Sequence, residues 1–335
     1  MKKNLYLFVF FFVLISCNKT SQSHSRDNED KNRIEIKIHR FDKDLISIDT
    51  KNASQSVKEL YKKYPEFLSL FTYNILEVED KDTAKVAELL TQFVSHKTFS
   101  DVNKKILETF SDISYIEDDL SKGYSNVHTS FPQIYIPQIY FFVSGFNRSV
   151  IMTDSILAVG TDFYLGADYA PYKEFTYDYL LYNMRRDMVS IDVISATLFK
   201  NFTFDGKQNR LIDNMLHRGK VIYALHTILP DKKIEDILGY SDEQYKWASQ
   251  YEGEVWKALV GQKDLFSTNM QLINKYLNDA PFTAPITQES PGRLGMYIGW
   301  KIIDSYMKNN KNVTLQELMK LNEYQQILEK SAYKP

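Results

Sequence analysis

The apolar positions fall into distinct textures along the chain. Leu5 to Ile15 form an unbroken apolar run behind the basic Met1-Lys2-Lys3-Asn4, whereas Asn18 to Asn32 hold no apolar residue. A bilayer span takes about 20 apolar residues and a secretory h-region about 7 to 15, so the run reads as a signal peptide. From Arg33 onward the periods are those of packed elements. Ile34, Ile36 and Ile38 alternate with Glu35, Lys37 and His39, the period of a half-buried strand. Val86, Leu89, Leu90 and Phe93 then follow helical spacing behind Asp82 and Thr83, and Val102, Ile106 and Phe110 repeat it behind Ser100. A further helix ends before Pro132.

Between Phe131 and Tyr182, fourteen of fifty-two residues are aromatic, about twice the chain average. Ile134 to Val143 and Ser149 to Val159 are rich in aromatic and β-branched residues, and Ser144-Gly145-Phe146-Asn147-Arg148 between them suits a two-stranded hairpin. The plain reading is a sheet packed into the core; the functional one is a ligand groove lined by the aromatic cluster. Beyond it helices are expected over roughly Phe175 to Phe199, Arg210 to Leu229, Asp242 to Val260, Thr268 to Leu277, Gly292 to Met307 and Leu315 to Glu329. The fold class is therefore α+β: a predominantly helical single globular body with a small antiparallel or mixed β-sheet. It spans 33–335, with no second linker and no repeat.

Composition narrows the chemistry. The 335 residues include 41 basic and 43 acidic side chains, giving a net charge of −2 and no basic field for nucleic acid. One cysteine excludes disulfides and sulfur-rich metal sites. Its setting, Leu14-Ile15-Ser16-Cys17, resembles a bacterial lipobox. That resemblance implies cleavage after Ser16, a thioether-linked diacylglycerol on Cys17 and acylation of the new N-terminus, so 1–16 is a lipoprotein signal peptide. Residues 17–32 then form the lipid anchor and a polar tether with a reach of roughly 20 Å. Loss of Lys2 and Lys3 takes the charge from −2 to −4. No acidic export tag directly follows Cys17, which favours a periplasm-facing anchor on the inner or outer membrane.

Six histidines occur, no two of them three or four residues apart, so no helical zinc pair exists. Nucleophile-elbow, Walker and dinucleotide-binding glycine motifs are missing as well. Asp187 and Asp192 are the paired carboxylates on one expected helix, although five residues apart is a poor spacing for convergence. Asp162 and Asp168 flank Tyr164-Leu165-Gly166, where turns and caps are the plainer reading. The most distinctive motif is Pro291-Gly292-Arg293-Leu294-Gly295-Met296-Tyr297-Ile298-Gly299-Trp300, whose glycines leave one helical face bare for close approach. Arg293 there either bonds neighbouring carbonyls or holds a carboxylate at a helix N-terminus.

Several motifs together resemble the gliding-motility lipoprotein B family, GldB: Arg40-Phe41-Asp42-Lys43-Asp44-Leu45, Tyr64-Pro65-Glu66-Phe67, Ile136-Pro137, Ser144-Gly145-Phe146-Asn147, Tyr164-Leu165-Gly166, the Pro291 to Trp300 stretch and Val313 to Met319. The resemblance covers nearly the whole mature chain. The family in turn resembles zincin-type metalloproteases, which carry an H-E-x-x-H helix and a later acidic ligand. Here the matching helix, Met184 to Asp192, has no histidine, and the later one reads His217-Arg218-Gly219-Lys220. Arginine at a divalent cation's site repels it. What the resemblance implies is a non-enzymatic, zincin-like envelope lipoprotein without metal or cofactor beyond the lipid on Cys17. It is expected to be required for gliding motility, linked to type IX secretion, and to act on other gliding or secretion envelope proteins. The alternatives are a cryptic hydrolase using Asp187, Asp192 or another carboxylate, and a peptide-binding module in which the aromatic strand region and Arg293 retain the old substrate groove, with Trp300 a further groove or partner contact.

Overall fold

A computed structural model describes residues 33–78 and 83–335. Ser16, Cys17 and the rest of the expected anchor and tether lie outside the described residues. Of the alternating segment at Ile34, only its end joins the sheet, as β1 (Ile38–Arg40). The helices α1 (Phe41–Ile46), α2 (Ala53–Lys63), α3 (Pro65–Asn74), α4 (Thr83–Ser95), α5 (Lys97–Thr109) and α6 (Ser114–Ser130) follow. Ahead of β1 the chain is held by α6. The backbone N–H groups of Ile34, Ile36 and Ile38 donate to Ser125 Oγ, Ser121 Oγ and Glu117 Oε1, each at 2.9 Å. Alternate strand residues rise about 6.8 Å and four helical residues about 6.0 Å, so a period of two meets a period of four.

The remaining strands are β2 (Gln138–Phe142), β3 (Val150–Met152) and β4 (Ile156–Gly160), and the sheet order is β1-β2-β4-β3. β1 pairs parallel with β2, placing Ile38 opposite Ile139, and β2 pairs parallel with β4, placing Ile139 opposite Leu157. The expected hairpin between the two aromatic runs is therefore not formed. The hairpin lies inside the second run, where β3 pairs antiparallel with β4 and Ile151 faces Ala158. Thr153 N–H closes its turn on the Ile156 carbonyl at 2.8 Å. Asp162, fully buried at the end of β4, reaches back to the end of β2 and accepts from Ser144 N (2.9 Å), Ser144 Oγ (2.8 Å) and Phe146 N (2.6 Å). That anchor holds the two C-terminal strand ends together, as parallel pairing requires.

Side chains alternate across the sheet and divide the interior in two. Tyr140, Phe142, Ile156 and Ala158 pack with Phe41, Phe67 and Phe71 in the smaller core. Ile139, Phe141, Leu157 and Val159 face the larger core built by the later helices. These are α7 (Asp178–Leu181), α8 (Val189–Asn201), α9 (Leu211–Ile228), α10 (Ile234–Leu238), α11 (Asp242–Gln250), α12 (Glu252–Gly261), α13 (Met270–Leu277), α14 (Leu294–Asn309), α15 (Leu315–Lys320) and α16 (Tyr324–Ser331). The body is mostly helical with a small mixed sheet, the expected α+β class. Three of the long helices expected here are broken. Phe175 to Phe199 is interrupted because Gly166 N–H bonds the Met184 carbonyl at 2.9 Å and Leu165 bridges Arg185, which demands extended backbone at φ −131°, ψ 147°. Asp242 to Val260 divides at Tyr251, and Leu315 to Glu329 divides after Lys320.

The axis of the larger core is the crossing of α9 and α14. A Cβ on Gly299 would overlap the Met215 carbonyl, and one on Gly219 would overlap the Gly299 carbonyl, so the two helices meet backbone to backbone. This close approach is what the glycine spacing anticipated. It also draws the start of α14, and with it Arg293, toward the loop after α10.

Candidate functional site: a mixed acidic and apolar cleft beside Asp192

A cleft of about 360 Å³ opens among these elements, within the range of ligand-sized clefts. Its apolar wall includes Leu180, Met184, Met188, Ile191 and Met296. Its polar groups are Tyr164, Asn183, Asp192, Asp236, Asp279 and Arg293. Asp192 arrives on the first turn of α8, a position favourable to a carboxylate, and Tyr164 arrives from the turn after β4. Tyr164 OH donates to Asp192 Oδ2 at 2.8 Å. Burial pushes the Asp192 carboxyl up to about 6, with Asp279 adding to the rise while the Tyr164 hydrogen bond and the Arg293 charge oppose it. Burial and the neighbouring carboxylate push the Tyr164 phenol well above its usual range.

Arg293 occupies the position just before α14 with φ 59° and ψ 25°, a left-handed conformation uncommon outside glycine. Its Nε lies 3.2 Å from Asp279 Oδ1, and its NH2 donates to the Gly239 carbonyl at 2.9 Å. The guanidinium stands 5.9 Å from the Tyr240 ring centre, and Tyr240 OH donates to the Gly292 carbonyl at 2.7 Å, fixing the backbone on which Arg293 turns. Asn183 Nδ2 donates to the same Gly239 carbonyl at 3.2 Å, which sets the amide's orientation. Its Oδ1 is buried and has no hydrogen-bond partner. Asp236 is tied to Arg185 and accepts from Tyr182 OH at 3.2 Å.

Of the residues singled out from the sequence, the structure brings Asp192 and Arg293 into one cleft. Asp187 is not there. It lies in a short 3-10 turn before α8, its side chain 60% exposed and 4.0 Å from Arg185. Asp187 and Asp192 thus do not share an α-helix, because the chain restarts after the extended Arg185 as a 3-10 turn over Arg186–Met188 and becomes α-helical only at Val189. Trp300 is buried on α14, its ring 5.9 Å from Tyr297 and 5.6 Å from the Lys301 ammonium, away from the cleft lining. Sequence reasoning missed Tyr164, Asn183, Asp236 and Asp279 as cleft residues. Tyr164 was within reach, since it stands in the Tyr164-Leu165-Gly166 motif; nothing local marks the other three. Among the described residues, no group of three or more His, Cys, Asp or Glu is placed to hold a metal ion.

A family model described as gliding motility protein GldB matches residues 22–335. The chain belongs to the GldB family. Membership makes it a gliding-motility-associated lipoprotein of the cell envelope. No curated protein and no solved structure matches the chain. No helix among the described residues is long and apolar enough to cross a membrane. In this GldB chain the Pro291 to Trp300 motif does two jobs: Gly299 admits α9 and Gly295 admits α13, and its arginine closes one side of the cleft.

Proposed function

We propose that this GldB-family lipoprotein acts by protein–protein contact, without catalysis, metal or cofactor, on other envelope proteins of the gliding and type IX secretion machinery. Cys17 carries the lipid after cleavage at Ser16 and holds the body on the periplasmic face of a membrane. The body is a degenerate zincin-like fold. The observation that carries this reading is the aromatic rim of the cleft. Phe175 is 46% and Tyr177 69% exposed, they flank the cleft residue Thr176, and Tyr177 stacks on Tyr179 with centroids 5.5 Å apart. Exposed aromatics beside a partly apolar cleft are what partner surfaces provide.

The His217-Arg218-Gly219-Lys220 segment supports the same reading, since its side chains are spent on packing. Arg218 donates to the Leu277 carbonyl at 2.9 Å, at the end of α13, and Lys220 Nζ bonds the Leu321 carbonyl after α15. A photo-crosslinking residue at Tyr177 in intact cells should give a discrete adduct with another gliding or secretion envelope protein. The same residue at Tyr73, 72% exposed on α3, should not. Equal labelling from both positions would count against the cleft rim as a contact site.

A second reading, a cryptic hydrolase, has one observation in its favour: a carboxyl raised to about 6 in a cleft is suited to proton transfer near neutral pH. It requires that the purified protein cleave a peptide or ester substrate and lose that activity in Asp192→Asn.

A further inference from the structure

We infer that the cleft receives a lysine side chain of the partner, an ammonium group on an apolar stem, with Asp192 as its counter-charge. The inference rests on the contact reading above and adds the chemistry of what enters. Three carboxylates line the cleft, Asp192, Asp236 and Asp279, against a single guanidinium, Arg293. Two of the three are already matched, Asp236 by Arg185 and Asp279 by Arg293. Asp192 is left with a phenol as its only hydrogen-bond donor among the described residues, and its Oδ1 accepts nothing. Asn183 Oδ1, buried in the same lining, accepts nothing either. Its amide nitrogen is committed to Gly239, so the oxygen cannot be exchanged for a donor by flipping.

The free Asp192 Oδ1, on a carboxylate with no ion-pair partner of its own, calls for a cationic donor with several N–H groups, whereas Asn183 Oδ1 is closed off from solvent and is reached only if the lining shifts. An ammonium carries three. The thioether and aliphatic wall of Met184, Met188, Ile191 and Met296 suits a flexible four-carbon stem, because methionine adapts to an irregular guest and lysine buries its methylenes while its charge seeks a polar end. A partner's carboxylate would meet the opposite balance. Arg293 would attract it, but Arg293 is already paired with Asp279, and Asp192 and Asp279 in the same lining would repel it.

The pH dependence follows from the groups that face Asp192: Tyr164 from the turn after β4, Arg293 from the start of α14 and Asp279 from the loop after α13. With a carboxyl near 6, its ionised fraction rises about tenfold between pH 5 and pH 7, and lysine affinity should rise by the same factor.

The test uses the full-length protein in detergent, labelled with carbon-13 at the methionine methyls, and titrated with acetyl-Ala-Lys-Ala-amide and its glutamate and norleucine counterparts. Shifts of the Met184, Met188 and Met296 methyls report entry into the cleft. The lysine peptide should bind at least tenfold tighter than the norleucine peptide at pH 7. Asp192→Asn should remove both that preference and the pH dependence, with the wild-type pH profile serving as the readout if the variant is poorly folded. A norleucine or glutamate peptide that binds as tightly as lysine overturns the lysine assignment and leaves the cleft as a contact site. If no peptide moves the methyls, the lysine assignment falls while the Tyr177 crosslink still decides the contact reading. Failure of both removes both.

Discussion

The three side chains around Gly219 on α9, those of His217, Arg218 and Lys220, serve different neighbours, and the buried His217 makes the molecule's stability pH-sensitive. His217 is 7% exposed, with Nδ1 3.4 Å from Tyr324 OH and its ring 5.5 Å from that of Phe204. Burial first and the Lys220 charge second lower it to about 4. A folded-state value below the unfolded 6.5 gives stability that is present above pH 6.5 and lost as pH falls toward 4, on the order of 3 kcal/mol in total. Asp192 runs the other way: raised to about 6 from 3.8, it gives relative stability that is full below pH 3.8 and lost as pH rises through 6. The two nearly offset one another between pH 4 and 6. Urea melts across that window should therefore separate them: His217→Gln should flatten the acid-side loss, and Asp192→Asn should steepen it. Parallel profiles for both variants and the wild type would contradict these shifts.

At the scale of elements, the α9–α14 crossing decides between two opposed effects. Helix propensity alone would have Gly299→Ala stabilise α14 by about 1 kcal/mol. The added methyl would instead overlap the Met215 backbone carbonyl, which has no rotamer to yield, so the variant should lose about 1–3 kcal/mol. Gly261→Ala, at the end of α12 with nothing within 4 Å of the new methyl, is the control and should be neutral or stabilising. Thermal melts of the two variants check the sign. This crossing was partly legible in the sequence, because glycines at helical spacing imply close approach, but their neighbours differ: Gly299 meets α9, Gly295 meets Tyr276 and Leu277 of α13, and Gly292 lies before α14 against Ala280. The strand pairing was not. Ile156 to Gly160 is buried throughout and shows no polar alternation, so the run carries no sign of which neighbour it joins or in which direction. The break at Arg185 was equally hidden, since its cause is a bridge to Leu165 twenty residues earlier in the chain. Asp192 and Arg293 meet only through packing of α8, α13 and α14, and no local spacing reports such a meeting.

For the whole molecule, the sheet is a partition with an aromatic core on one face and the helical core on the other, and the cleft opens in the larger of the two. The core of this architecture is built from residues after Arg33, so anchoring through the proposed lipid on Cys17 and folding should be separable. Several acyl chains at about 0.8 kcal/mol per buried methylene hold a protein on a membrane without any contribution from the folded body. Under the proposed contact reading, confinement would raise the effective concentration of the cleft near membrane-embedded partners without altering a single contact. Cys17→Ala should release a soluble form or leave an unprocessed precursor that takes up no acyl label, with the melting temperature of the body unchanged. Gliding should fall even though the Tyr177 rim and the cleft are intact, and a heterologous membrane anchor on the same periplasmic face should restore it. Rescue by a soluble periplasmic form at the same expression level would show that the contact does not depend on confinement; continued acyl labelling of Cys17→Ala would place the lipid elsewhere.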